Sequence, residues 1–276
     1  MISFLYWNPD RAIFPFDLPF LGRPILWYGF FFSLGFFVAY QVFLHLLKKE
    51  LLPKQIAEKV LCYVIVGTLI GARLGDILFY QDWKIVLSHP LSIFQIWEGG
   101  LASHGGAIGI FAALILFYFR LKPSFSFAKL LDLVVIPVCL AAFFIRIGNF
   151  FNQEILGTPS QVPWAIIFGN PADGGGVFPR HPVQLYEGLV YLALFFPLFF
   201  LRKKFKEGQV SGLFFICVFG SRFILEFFKE EQSSYLDNSS FLSMGQILSI
   251  PFIFLGIWLF LRHGNKLFNP LGVKRS

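Results

Sequence analysis

Among the ionisable side chains inside long apolar runs of this sequence, six stand out: Arg73 with Asp76 three residues on, His104, Arg146, and Arg222 with Glu226 four residues on. An ionisable group at membrane depth costs several kcal/mol by most estimates (roughly 2.5–3.5 on insertion scales), so such groups mark function by default and need partners. Guanidinium groups recognise phosphate through paired parallel donors, and a histidine or tyrosine beside them can move a proton. Arg146 has no carboxylate at i±3 or i±4. An arginine without a local partner invites an anionic ligand, which in a membrane is a phospholipid headgroup. Glu226 is placed to neutralise Arg222, and Arg73 with Asp76 reads equally as a structural pair and as a ligand contact. His104 lies in Gly99-Gly100-Leu101-Ala102-Ser103-His104-Gly105-Gly106, where glycine permits close approach of backbone or ligand. Gln184, Tyr186 and Glu187 open the fifth apolar run and Gln246 the seventh. Trp27 and Tyr28 open the first, and alone they read as interfacial anchors.

The elements that must position these groups follow from composition. Of 276 residues, 56% are hydrophobic and 14% charged. A soluble core cannot hide that much apolar surface, which excludes a disordered chain and a typical cytosolic enzyme. Cys62, Cys139 and Cys217 each sit alone in an apolar run, so there is no disulfide framework. Seven apolar runs, 25–47, 60–80, 101–119, 130–147, 183–201, 210–228 and 243–261, match the roughly 20 residues that a helix needs to cross a bilayer. Continuous apolarity lacks the alternation of a barrel strand. The expected fold is an all-α integral membrane protein of seven transmembrane helices, a single membrane domain over 1–276. The stretch before Ile25, with four prolines and no short apolar core, does not read as a cleaved signal peptide.

Fifteen of the 23 Lys and Arg residues fall on one side of these spans, in 48–59, 120–129, 202–206 and 262–275; Arg11, Arg23, Lys84, Arg180 and Lys229 fall on the other. The positive-inside rule then places the N-terminus outside and the C-terminus in the cytoplasm. The net charge of +7 is thus a matter of topology and not of nucleic-acid binding. With this orientation each of the polar residues singled out above belongs to the outer half of its span, which implies one polar cavity facing the outer leaflet. The connection 148–182, with five prolines and Gly174-Gly175-Gly176, reads as a small non-cytoplasmic head. No phosphate-binding glycine loop, HExxH or GxSxG is present, and the histidines share no metal-ligand spacing, so neither a cofactor nor a metal is called for.

Taken together, Trp27-Tyr28-Gly29, Gly71-Ala72-Arg73-Leu74-Gly75, the glycine-rich His104 segment, Arg146-Ile147-Gly148-Asn149-Phe150, Glu154 with Gly157, Arg180-His181-Pro182 with Gln184-Leu185-Tyr186-Glu187, Arg222 with Glu226, and Ser243-Met244-Gly245-Gln246 resemble the prolipoprotein diacylglyceryl transferase family over nearly the whole chain. The resemblance implies a bacterial inner-membrane enzyme that moves the diacylglyceryl group of phosphatidylglycerol to the lipobox cysteine in a prolipoprotein signal peptide, forming a thioether and releasing glycerol phosphate. It implies catalytic roles for His104, Tyr28, Arg222 and Glu226. Arg146, Asn149, Glu154 and Gly157 would bind phosphatidylglycerol, with Arg73 a further candidate. Two positions depart from the family pattern: Ala102-Ser103 stands where Ser-Phe is common, and Gln153 where glycine is frequent. The alternative reading is a non-catalytic transporter or binder of an anionic lipid headgroup, which would use the same arginines. The topology is testable by impermeant thiol labelling in intact cells. A cysteine placed within 202–206 stays protected and one beside Ala172 reacts; the reverse pattern overturns an outward-facing site.

Overall fold

The computed structural model describes residues 3–17, 22, 24–79, 88, 93, 102–230 and 242–262. Among these described residues, seven helices are long and apolar enough to cross a membrane: α1 (Trp27–Lys49), α2 (Gln55–Phe79), α3 (Ser103–Leu121), α4 (Phe127–Phe151), α5 (Val183–Leu201), α6 (Gln209–Leu225) and α7 (Met244–Leu261). They fall on the seven apolar runs with ends displaced by a few residues. α2 begins five residues before Val60, and α4 runs four beyond Ile147, because polar residues such as Gln55, Glu58 and Asn149 continue a helix that hydropathy alone would stop. Pro137, Pro197 and Pro251 sit inside α4, α5 and α7. Apolar helices of membrane proteins tolerate them, since neighbouring groups re-satisfy the freed carbonyl. The Glu98–Leu101 part of the histidine segment lies outside the described residues.

The chain packs as two compact units, and α1, α4 and α6 are divided between them. The first takes the described residues up to Val42 with Val135–Lys204 and Cys217–Glu230; the second takes the rest. Within the second unit, α2 and α3 cross at very close range. A Cβ built on Gly71 would lie 2.6 Å from the Cα of Gly109, and one on Gly75 would lie 2.5 Å from the Cα of Gly105. Gly67, Gly71 and Gly75, four residues apart, therefore form a flat stripe against Gly105 and Gly109. Small residues give helices their closest approach where burial of apolar surface supplies no driving force between them. The glycines beside His104 are helical, and the backbone they admit is that of α2. In the same unit the buried Asp132 carboxylate caps α6, accepting from Gly208 N at 2.7 Å, Ser211 N at 2.8 Å and Ser211 Oγ at 2.7 Å. Those amides belong to the helix start, where no intrahelical carbonyl can serve them.

The first unit carries a three-stranded sheet of β1 (Leu5–Trp7), β2 (Ile166–Phe168) and β3 (Pro179–Arg180). β1 runs parallel to β2, Leu5 facing Ile166, and β2 antiparallel to β3. Phe150, Leu156, Ile166 and Phe168 form its core, with Trp7 and Phe151 packed on it, and Trp7 Nε1 donates to Phe150 O at 3.2 Å. The expected head of 148–182 is thus incomplete without residues 5–7, which are too short a stretch for periodicity to reveal as a strand. It is also tied to the chain after α6: Thr158 N donates to Phe228 O, Glu230 N to Leu156 O, and Gly157 bridges Lys229. Arg180 pairs with Asp173 at 2.9 Å and Glu230 at 3.6 Å, which makes it a fastening of this head.

The glycine stripe generates a stability prediction. Gly71→Leu forces α2 and α3 apart and is expected to cost more than about 3 kcal/mol, with loss of folded protein in detergent. Gly220→Ala, at a helical site with nothing within 4 Å of the added carbon, does not lower the unfolding midpoint. Equal midpoints for both would refute the close packing.

Candidate functional site

The first unit gathers most of the residues singled out in the sequence. Arg146 and Asn149 lie in the last turns of α4, Glu154 and Gly157 in the loop that follows, and Arg222 near the end of α6. The residue that organises them is Glu187 in the first turns of α5, 1% exposed. Its Oε2 is paired with Arg146 Nε, and its Oε1 lies 3.5 Å from Arg222 Nη1 and 3.6 Å from Lys229 Nζ. Three cations thus share one carboxylate. This corrects the expectation that Arg146 lacks an acidic partner: the partner comes from another helix, where helical spacing cannot reveal it. Glu226 remains a charged neighbour of Arg222, but its direct ion pair is with another cation. α6 ends at Leu225 and Glu226 opens a 3-10 turn, Glu226–Phe228. The i,i+4 alignment is lost there, and Glu226 Oε2 pairs with Lys229 Nζ at 3.0 Å. Arg222 Nη1 instead donates to the Tyr191 hydroxyl at 3.3 Å.

From Arg146 the contacts run on through amides. Arg146 Nη1 donates to Asn149 Oδ1 at 3.0 Å, and Asn149 Nδ2 to Glu154 Oε1 at 2.5 Å. Asn152 Nδ2 takes the other Glu154 oxygen at 2.9 Å. Gln184 Nε2 donates to the Glu154 main-chain oxygen at 2.8 Å, and Gln184 lies one turn from Glu187 on α5. The ring closes: Glu187, Arg146, Asn149, Glu154, Gln184 and back to Glu187. Tyr28 lies against it, its ring 3.2 Å from where a Cβ on Gly148 would stand, with Glu154 and Arg146 as its charged neighbours. Arg146, Arg222 and Lys229 balance Glu187, Glu226 and Glu154. Such neutrality is what permits so many charges to be buried, since an uncompensated one would cost several kcal/mol.

Glu154 is held by backbone as well as by amides. The residues on either side, Gln153 at φ 53° and Ile155 at φ 58°, are both left-handed without being glycine. Residues in this region cost on the order of 1–3 kcal/mol and persist where surroundings over-determine them. At Gln153 the surroundings are visible: its fully buried Oε1 accepts from Asn170 N at 2.8 Å and its Nε2 donates to Asn8 Oδ1 at 3.4 Å. The left-handed backbone explains why glycine suits this position, and the side-chain bonds explain how glutamine holds it here. Gly157 has no room for a side chain, because a Cβ would meet His181 Cβ and Val183 Cγ2 at 2.7 Å.

The second unit holds the other two candidates. His104, the second residue of α3 and 1% exposed, places Nε2 3.3 Å from Ser249 Oγ. Ser249 sends its own proton to Gly245 O at 2.7 Å, which leaves its oxygen able to accept from a protonated Nε2 of His104. α7 is set for this contact by a capping box at its start, in which Ser243 Oγ accepts from Gln246 N and Gln246 Oε1 from Ser243 N. Arg73 lies 3.7 Å from Asp76, as i,i+3 spacing predicts, and its Nε donates to Ile93 O at 3.1 Å.

Sequence reasoning gave no role to Glu187, Lys229 or Tyr191. Glu187 carried a usable signal, a carboxylate one helical turn from a glutamine in an otherwise apolar run.

Seven apolar spans among the described residues, with a buried cation–carboxylate cluster at the ends of α4, α5 and α6, define a multi-pass membrane protein. The family model of prolipoprotein diacylglyceryl transferase matches residues 16–262, and the chain belongs to that family. It is 39% identical to the phosphatidylglycerol–prolipoprotein diacylglyceryl transferase of Protochlamydia amoebophila, with 96% of each chain covered. It is 41% identical to that of Tolumonas auensis, over 93% of this chain and 96% of the relative, and 41% identical to that of Chloroherpeton thalassium, over 93% of each. The alternative of a non-catalytic transporter is not favoured by this membership.

Removing the shared carboxylate is the direct test of the cluster. Glu187→Gln leaves three buried cations facing two carboxylates and is expected to cost about 3–5 kcal/mol, read as a lowered unfolding midpoint in detergent. Lys229→Gln, which loses one of the three cations, has the smaller effect. A Glu187→Gln midpoint equal to wild type would show that Glu187 does not hold the cluster.

Proposed function

We propose that this chain transfers the diacylglyceryl group of phosphatidylglycerol to the lipobox cysteine of a prolipoprotein signal peptide, in the bacterial inner membrane and on the side facing the outer leaflet. The observation that carries the reading is the ring around Glu187, in which two guanidiniums are oriented by buried partners while each retains further N–H donors. Arg146 spends Nε on Glu187 and one Nη1 proton on Asn149, out of five N–H donors. The names of the relatives point to the same lipid and the same acceptor.

The cysteine thiol, with an ordinary pKa near 8.5, has to become thiolate to attack. The family resemblance assigns that proton to the His104 imidazole, whose Nε2 lies 3.3 Å from Ser249 Oγ. The thiolate sulfur forms a bond to the glyceryl carbon, the carbon–oxygen bond to phosphate breaks, and its electron pair leaves with glycerol phosphate. Charge gathers on the departing phosphate, where Arg146 and Arg222 stabilise it in a low-dielectric setting. Tyr28, Asn149, Glu154 and Gly157 shape the lipid site, Arg73 assists in binding the donor lipid, and Glu226 restrains Lys229 beside Arg222. The fifteen basic residues support a cytoplasmic C-terminus and hence an outward site.

The test is conversion of a lipobox peptide to its diacylglyceryl form by the purified full chain with phosphatidylglycerol. His104→Gln is expected to lower turnover by roughly 10²-fold or more at unchanged folding. Arg146→Lys keeps a charge but cannot span Glu187 and Asn149 together, and is expected to lose most transfer with weakened lipid binding. No product from the wild-type chain would sink the reading, and wild-type transfer by Arg146→Lys would remove that guanidinium from phosphate recognition.

A further inference from the structure

Gln184 is 0% exposed, and the atom it uses is unambiguous. Its partner is a main-chain carbonyl, which accepts only, so the amide NH₂ faces Glu154 and Oε1 lies on the other side. That oxygen is buried and has no hydrogen-bond partner among the described residues. Arg222, 6% exposed, has the complementary feature: Nη1 is engaged by Tyr191 and Glu187, while its buried Nε proton finds no acceptor among the described residues. Both groups surround one carboxylate, Gln184 one turn before Glu187 on α5 and Arg222 by ion pairing. Buried polar groups in native structures are nearly always satisfied, and exceptions call for an explanation.

We infer that Gln184 is the residue that selects the lipid headgroup, its Oε1 accepting a hydroxyl of the glycerol headgroup while Arg222 Nε donates to the adjoining phosphate. The inference rests on the proposed use of phosphatidylglycerol and names what distinguishes it from other anionic or zwitterionic lipids. A choline headgroup has no proton to donate to Oε1. An ethanolamine headgroup can donate, but its ammonium adds a fourth cation to a site where Arg146, Arg222 and Lys229 are already matched by Glu187, Glu226 and Glu154. A neutral hydroxyl donates without upsetting that balance. A site built to hydrogen-bond a hydroxyl rejects an analogue lacking it, because its own polar group is then left unpaired.

The experiment compares two donor lipids of equal charge, one with a phosphoglycerol and one with a phosphopropanol headgroup, using the full chain in detergent and a lipobox peptide. The wild-type chain is expected to favour the glycerol lipid in kcat/KM by at least about tenfold. Gln184→Met, similar in length but without the amide, brings the ratio to about one, whatever its absolute rate. Gln184→Asn, which withdraws the amide by one methylene, lowers the ratio as well and serves if the methionine variant does not fold. A structural role alone would change rates for both lipids and leave their ratio intact. Equal use of both lipids by the wild-type chain, or a preference kept in the variants, overturns the role of Gln184 alone. Absence of any transfer from phosphatidylglycerol overturns the proposed function with it.

Discussion

A carboxylate that is 1% exposed in an apolar helix is unstable alone, and the arrangement of the first unit follows from that constraint. Glu187 has to be neutralised, and it draws Arg146 from α4, Arg222 from α6 and Lys229 from the turn beyond α6. Coulomb attraction that is weak at a surface becomes strong in a low-dielectric interior, and the cost of leaving any partner unpaired rises equally. The ends of three helices are therefore held in register by one side chain. The two guanidiniums that would meet a phosphate are oriented before it arrives, so little binding energy is lost in arranging them.

Neutrality also decides what the cluster can bind. With Glu226 and Glu154 included, its cations and carboxylates are matched, so an incoming anion is met by oriented N–H donors more than by excess charge. Directional donors distinguish phosphate from other anions better than a diffuse positive field does. The amide-held Glu154 adds geometric restriction, and its left-handed neighbours Gln153 and Ile155 show backbone strain concentrated beside it. That strain is held by the head, through Asn8 and Asn170 on Gln153. The small sheet therefore works as a brace for the loop that carries Glu154.

The second unit obtains its precision from absence of side chains. Gly67, Gly71 and Gly75 let α2 meet Gly105 and Gly109 of α3 almost backbone to backbone, which fixes the α3 turn bearing His104. Ser249 then holds the imidazole through Nε2. Rigid packing and a second hydrogen bond together orient a histidine more closely than either would alone.

The sequence by itself determined the seven helices, because crossing hydrocarbon demands about 20 apolar residues in a helix and leaves no other backbone solution. It also exposed Arg73, His104, Arg146 and Arg222, since an ionisable group in such a run is conspicuous, and it paired Arg73 with Asp76 because both lie on one helix. The partners of Arg146 and Arg222 were decided by tertiary structure alone. Helical spacing put Glu226 beside Arg222, where it remains a charged neighbour, but the helix tightens into a 3-10 turn at that residue and the direct ion pair of its carboxylate is with Lys229. Glu187 is 41 residues from Arg146 and 35 from Arg222 in sequence, and their attraction depends on distance in space, which no local pattern encodes. The same reason hid residues 5–7, whose place as a strand exists only because β2, some 160 residues later, lies beside them.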